Sequence, residues 1–208
     1  MPLLAPRTLA LALFITLLAP RLAAARDPVK EAKSGFVADA LFGVAVPIGN
    51  DDHVDYSDAS FKFALRLGYE FRLPSIFGVA PELALDLSPV NLDDDTFPNG
   101  GRVTRVRGLG GARLFFHFPI GYAYVRLLFG VDHVTGSVPV IGSLRADLSS
   151  TGFGFAPELG VSFRLWRFLH AGVQLAFPVG LFDFGEDPFR SKFTGVDLDF
   201  LATIGVHL

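Results

Sequence analysis

The stretch FKFALRLGYEFRL, Phe61 to Leu73, decides the fold. Its odd positions are Phe61, Phe63, Leu65, Leu67, Tyr69, Phe71 and Leu73. Its even positions are Lys62, Ala64, Arg66, Gly68, Glu70 and Arg72. A period of two is the mark of a β-strand with two unlike faces. One face must meet apolar surroundings and the other polar ones, so the question is which of them points into the protein.

The pattern recurs along the chain. Alternating runs are read over residues 35–48, 60–73, 78–88, 102–118, 122–135, 151–166, 169–180 and 195–208. The joins PSIF (74–77), PIG (119–121) and RF (167–168) are short. The others are longer and polar or mixed, as in NDDHVDYSDA (50–59) and SPVNLDDDTFPNGG (88–101). An even number of strands with short turns at one end and long loops at the other describes an up-and-down barrel. No stretch after the N-terminal region keeps a helical apolar period.

One phase of these strands collects the charges: Lys62, Arg66, Arg72, Arg105, Arg107, Arg113, Arg126 and Arg164 against Asp39, Glu70, Glu82, Asp86, Asp132, Glu158, Asp197 and Asp199. The other phase is nearly charge-free and holds Phe36, Phe42, Leu83, Leu85, Leu114, Phe116, Val125, Leu127, Phe129, Leu159, Val173, Phe200 and Ile204, among others. Volume separates two architectures. The interior of an eight-stranded barrel is only just filled by side chains, and several dozen Leu, Phe and Val side chains do not fit there. A charge facing lipid at mid-depth costs about 2–4 kcal/mol. Apolar residues therefore face lipid and charges face the lumen, where their equal numbers allow pairing and the intervening Gly and Ala leave room. The fold expected is all-β: an eight-stranded antiparallel up-and-down transmembrane β-barrel. Pro81 and Pro157 fall within strands and remove ladder donors, so a bulge or local irregularity is expected at each.

On these features, with the LGYEFRL and PELGVSFRL strands, the chain resembles the small eight-stranded outer-membrane β-barrels of the OmpA/OmpX-like class, over nearly all of 35–208. The resemblance implies a bacterial outer-membrane protein without a periplasmic domain. It also implies contact with outer-membrane lipid and lipopolysaccharide, and with the outer-membrane assembly machinery during biogenesis. Barrels of this class often end in an aromatic residue, where this chain has Leu208. Tyr69, Tyr122, Tyr124 and Trp166 are expected at the interface near the short turns.

The N-terminus fits export. Arg7, the apolar run LALALFITLL (9–18), Pro20 and Ala23–Ala25 read as a cleaved signal peptide over 1–25. Residues 26–34 form a short periplasmic tail and 35–208 the barrel domain. Removing 1–25, with Arg7, Arg21 and no acid, takes the formal charge from −3 to −5. An exported acidic chain is a poor nucleic-acid partner, and with no cysteine it has no disulfide framework and no thiolate metal site.

The lumen charges are the strongest site signal. Glu70, Glu82, Arg113 and Arg126 are expected low, near the short turns. Arg66, Asp86 and Glu158 are expected in the middle, and Arg107, Asp132, Asp197 and Asp199 high. A structural ion-pair plug is preferred over a gate or narrow ion path. The long loops carry Asp51, Asp52, Asp55, Asp58, Asp93, Asp94, Asp95, Asp147, Asp183, Glu186 and Asp187 against Arg102, Arg145, Arg190 and Lys192, a balance of −7. The run Asp93–Asp95 lacks the ordered spacing of a known cation loop, so no metal or cofactor is assigned. His133 with Ser137 is the nearest approach to a hydrolytic pair, but no acidic orienter accompanies it; no catalytic residue is assigned. The function expected is a non-enzymatic barrel with a structural or surface-interaction role and an unidentified external ligand. A narrow pore is the alternative, and a lipid-modifying enzyme the third.

Overall fold

The computed structural model describes residues 34–49, 59–73, 76–92, 101–141, 144–184 and 191–208. The signal peptide 1–25, nearly all of the tail 26–34 and the Asp93–Asp95 run lie outside the described residues. The strands are β1 (Gly35–Gly49), β2 (Ser60–Arg72), β3 (Phe77–Leu92), β4 (Gly101–Phe118), β5 (Gly121–Ile141), β6 (Leu144–Arg164), β7 (Leu169–Ala176), β8 (Val179–Phe184) and β9 (Ser191–His207). β1 to β7 pair antiparallel in chain order, β9 pairs with both β7 and β8, and β1 pairs with β9, so the sheet closes on itself.

β7 and β8 are two halves of one stave, which makes the ring eight-membered. Both pair with β6 on one side and β9 on the other, in unchanged register. The break is Phe177–Pro178. Pro178 has no N–H to give the ladder, and Pro157 lies opposite on β6. The carbonyls still serve: Phe177 N donates to the Pro157 carbonyl (3.0 Å) and Asp197 N to that of Pro178 (3.0 Å). Pro157 itself remains in register with Leu127 on β5. At Pro81 the β2–β3 ladder skips the Tyr69 and Glu70 level and resumes without a shift, while the β4 side continues through Ala112. The irregularities expected at these prolines are thus gaps rather than bulges. The register shifts occur between Pro47 and Gly49 and between Pro139 and Ile141, toward the long-loop end.

β5 and β6 also run farther than expected and are joined at residues 142–143. Residues 136–141 and 144–150 form a paired hairpin rather than a loop. Val134, Thr135, Val138 and Ile141 favour extended backbone, a preference that outweighs the polarity of the segment.

Stepping from partner to partner from Ala38 through Leu67, Leu83, Gly110, Phe129, Phe155, Val179 and Val196 returns to β1 at Gly49. The stagger is about ten residues. With about 3.3 Å between residues and about 4.8 Å between strands, it tilts the strands by about 40° and gives a backbone radius of about 8 Å. Such a cylinder holds side chains and little else.

The faces sort as the period of two requires. Leu83 is 70% exposed, and Leu67, Leu114, Val125, Leu127, Phe200 and Ile204 also stand out from the barrel, forming the lipid-facing surface. Arg66, Arg113 and Arg126 are enclosed together with Asp39, Glu82, Asp86 and Glu158. Small apolar groups fill between them, as in the cluster of Ala84, Leu109, Leu128 and Ala156.

Candidate functional site: the charged lumen

The lumen site follows from register. Arg126 on β5 is the direct partner of Arg113 on β4 and of Glu158 on β6. Adjacent guanidinium groups repel, and three features relieve them. The Tyr124 ring lies 4.9 Å from the Arg113 guanidinium carbon and 5.0 Å from that of Arg126. Glu82 receives Arg113 Nη2 at 2.5 Å and Arg126 Nε at 2.6 Å. Asp39 receives Arg113 Nη2 at 2.5 Å, with Arg126 Nη2 at 3.4 Å.

The network continues toward the long loops. Glu158 joins Arg126 and Arg66, the latter at 2.6 Å. Arg66 passes on to Asp86, which Lys62 Nζ meets at 2.8 Å; the same Nζ reaches Asp199 at 2.5 Å. Arg105 and Arg107 then share Asp132 (2.5 and 3.0 Å) and Asp197 (2.7 and 2.6 Å). From Asp39 to Asp197 the lumen is crossed by consecutive ion pairs.

Glycines supply the space. A Cβ on Gly68 would meet the Glu82 side chain, one on Gly160 the Tyr124 phenol, and one on Gly180 the Arg105 and Asp132 head groups. Long charged side chains lie where the facing residue has none.

Three expectations are corrected. Arg164 is exposed at the short-turn rim rather than enclosed, because β6 ends there. Counted with Arg72, the enclosed set then holds seven cations and eight carboxylates, and Asp197, the most water-exposed carboxylate of the set, is 16% exposed. Glu70 does not join Arg113 and Arg126. It lies below them and is met by His117 Nε2 (2.7 Å), His207 Nε2 (3.1 Å) and Arg72 Nη1 (3.5 Å). Tyr122 and Tyr124 are buried inside the lumen rather than placed in an interfacial belt, whereas Tyr69 and Trp166 do face outward. Parity identifies both tyrosines: Tyr124 and Tyr122 share the phase of Arg126, two and four positions before it.

The uncharged and imidazole members of the site escape a search for charge alone. Gln174 Oε1 accepts from Tyr124 Oη (2.9 Å) and Arg126 Nη1 (2.8 Å). His170 Nε2 bonds Asp39 Oδ1 at 2.7 Å. Phe115, in the phase of Arg113, stacks on His117 with centroids 5.6 Å apart. His133 lies outside the network, its Nδ1 bonding Thr151 Oγ1 at 2.8 Å.

No protein-family model matches the chain, and no curated protein matches it in sequence. Solved structures match its shape. Ail, the attachment invasion locus protein of Yersinia pestis, in complex with the heparin analogue sucrose octasulfate, superposes with a TM-score of 0.51 at 14% identity, over 85% of this chain and all of the other. Another structure of Ail gives 0.50 at 13% identity, over 84% and 99%. Neisserial surface protein A gives 0.49 at 14%, over 85% and 100%. The fold is that of the small outer-membrane β-barrels.

Proposed function

We propose that the chain is an integral outer-membrane barrel with a closed lumen, non-enzymatic, that acts as a structural scaffold presenting its long loops at the cell surface. One observation carries this reading. Arg66, Arg113, Arg126, Glu82 and Asp86 are nearly or wholly inaccessible to solvent inside the cylinder. A path wide enough for a hydrated ion would leave them wet.

The ion pairs join strands that are not neighbours, as β1 to β4 through Asp39 and Arg113, so they also brace the cylinder. Outer-membrane lipid and lipopolysaccharide surround the apolar face in this reading, and the assembly machinery handles the chain during insertion. Ail has been solved with a polyanion. The long loops here carry −7 in sequence, which disfavours a polyanion and favours a cationic or cation-bridged surface partner.

Reconstitution into planar bilayers tests the closed lumen. Membranes holding the folded protein are expected to show no steps above the lipid background at neutral pH. Regular, reproducible conductance steps would establish the pore reading in its place.

A further inference from the structure

The short turns at 73–76, 119–120 and 165–168 are not built like turns that meet water. Such turns draw on Gly, Asn, Asp and Ser. Here Leu73, Ile76, Leu165, Trp166 and Phe168 are all exposed, Trp166 by 65%. The lipid-facing series of β2 continues through Tyr69 and Phe71 to Leu73, the residue after the strand. Apolar surface thus reaches the tips of the turns. A rim of this kind sits at the boundary between acyl chains and headgroups.

The exposed charge of this rim has one sign. No acid occurs in the three turns, and Glu70, the acid nearest to them in sequence, is wholly enclosed. Arg164 and Arg167 are both exposed, and neither pairs with a carboxylate among the described residues. Arg164 also lies near enough to Arg72 to repel it. The backbone of the last turn is pinned. Leu165 N and Trp166 N both donate to the Leu169 carbonyl, at 2.9 and 3.1 Å, and Arg164 N donates to that of Ile120 at 2.8 Å. Arg167 is therefore displayed on a fixed turn, flanked in the chain by two exposed aromatic rings.

We propose that the 165–168 turn is a binding site for the headgroup of an anionic phospholipid, with Arg167 on the phosphate, Trp166 and Phe168 anchoring the turn at the interface, and Arg164 adding to the positive field. The inference rests on the membrane-barrel reading and deepens it by naming the lipid class. The guanidinium fork of Arg matches two phosphate oxygens. A zwitterionic headgroup carries the same phosphate but brings its own cation beside Arg164 and Arg167, whereas an anionic one does not. Bacterial outer-membrane barrels keep short turns on the periplasmic side, so the lipid comes from the inner, phospholipid leaflet.

Trp166 is the single tryptophan of the chain, so its fluorescence reads this site alone. The folded protein is reconstituted into vesicles of phosphatidylcholine and phosphatidylglycerol in which one or the other lipid is brominated, and quenching is compared at equal mole fractions. One basic side chain at an anionic surface contributes about fivefold. Phosphatidylglycerol is therefore expected to be enriched at Trp166 by about fivefold or more at low salt, with the ratio falling as salt rises. Arg167→Gln should lower the ratio, and Arg164→Gln combined with Arg167→Gln should bring it to about one. The single variant serves if the pair does not fold. Arg102→Gln with Arg145→Gln removes the same charge from the long-loop end, where these residues pair with Ser137 and Pro139, and should leave the ratio unchanged. Equal quenching by both lipids in the wild type overturns the site and leaves an aromatic anchor only. A preference that survives both arginine variants undiminished overturns it as well, and so does a Trp166 that neither lipid quenches. Conductance steps in planar bilayers would leave this ratio untouched, so the closed lumen and the lipid site fail separately.

Discussion

Arg113 on β4 and Asp39 on β1 meet across the lumen at 2.5 Å, over two intervening strands. Neither group touches water, and Asp39 also accepts from His170, so removing the guanidinium strands a charge. Breaking an enclosed pair by deleting one partner costs about 3–5 kcal/mol. Arg113→Ala is therefore expected to lower the thermal transition of the detergent-folded barrel, with Arg126→Ala and Glu158→Ala acting in the same direction. Transitions unchanged in all three would show that the lumen pairs contribute nothing.

The glycines under the charged side chains predict a contrast. A Cβ on Gly205 would sit 2.5 Å from His170 Nε2 and 2.6 Å from the Ala38 carbonyl, and would overlap Asp39 Oδ1. A Cβ on Gly108 would meet nothing within 4 Å. Gly205→Ala should destabilise by about 1–3 kcal/mol through overpacking, and Gly108→Ala should stay within about 0.5 kcal/mol. Urea unfolding of the two variants in lipid vesicles measures the difference.

These contrasts mark how far the sequence alone could be read. Parity along Phe61–Leu73 places Lys62, Arg66 and Glu70 inside without any knowledge of the other strands, because a strand has only two faces. Which charges meet depends on the stagger of the closed ring. Asp39 is the direct cross-strand partner of Arg66, yet it bonds Arg113 and His170 from farther strands. No local pattern encodes that choice. Tyr122 and Tyr124 were legible by parity but hidden by the habit of tyrosine at membrane interfaces. The gap at Phe177–Pro178 arises where Pro157 faces Phe177 and Pro178 follows one step along, a relation that exists only after β6 and β7 are paired.

The lipid face gives a depth-dependent expectation. Leu83 lies within β3, opposite Leu67 and Gly110, and is 70% exposed, whereas Leu73 directly follows β2 at the short-turn rim. Leu83→Arg puts a guanidinium into hydrocarbon and should cost about 2–4 kcal/mol, and Leu73→Arg about 0–1 kcal/mol. Refolding titrations into bilayers of fixed thickness check this. Equal small costs at both positions would mean that this face does not meet lipid.

Orientation is the last prediction. An eight-membered ring puts both barrel ends of the chain, Gly35 and His207, on the side of the short turns at 73–76, 119–120 and 165–168. Bacterial outer-membrane barrels keep short turns in the periplasm, so that side is expected to face inward and the β5–β6 hairpin tip outward. The acidic loops then face the outer surface, where divalent cations offset their charge. The chain has no cysteine, so single cysteines report without background. Asp147 is exposed on the hairpin and Arg167 is exposed on a short turn. On intact cells, a membrane-impermeant maleimide should label Asp147→Cys and leave Arg167→Cys unreacted until the outer membrane is permeabilised. Labelling of Arg167→Cys with Asp147→Cys silent would reverse the topology.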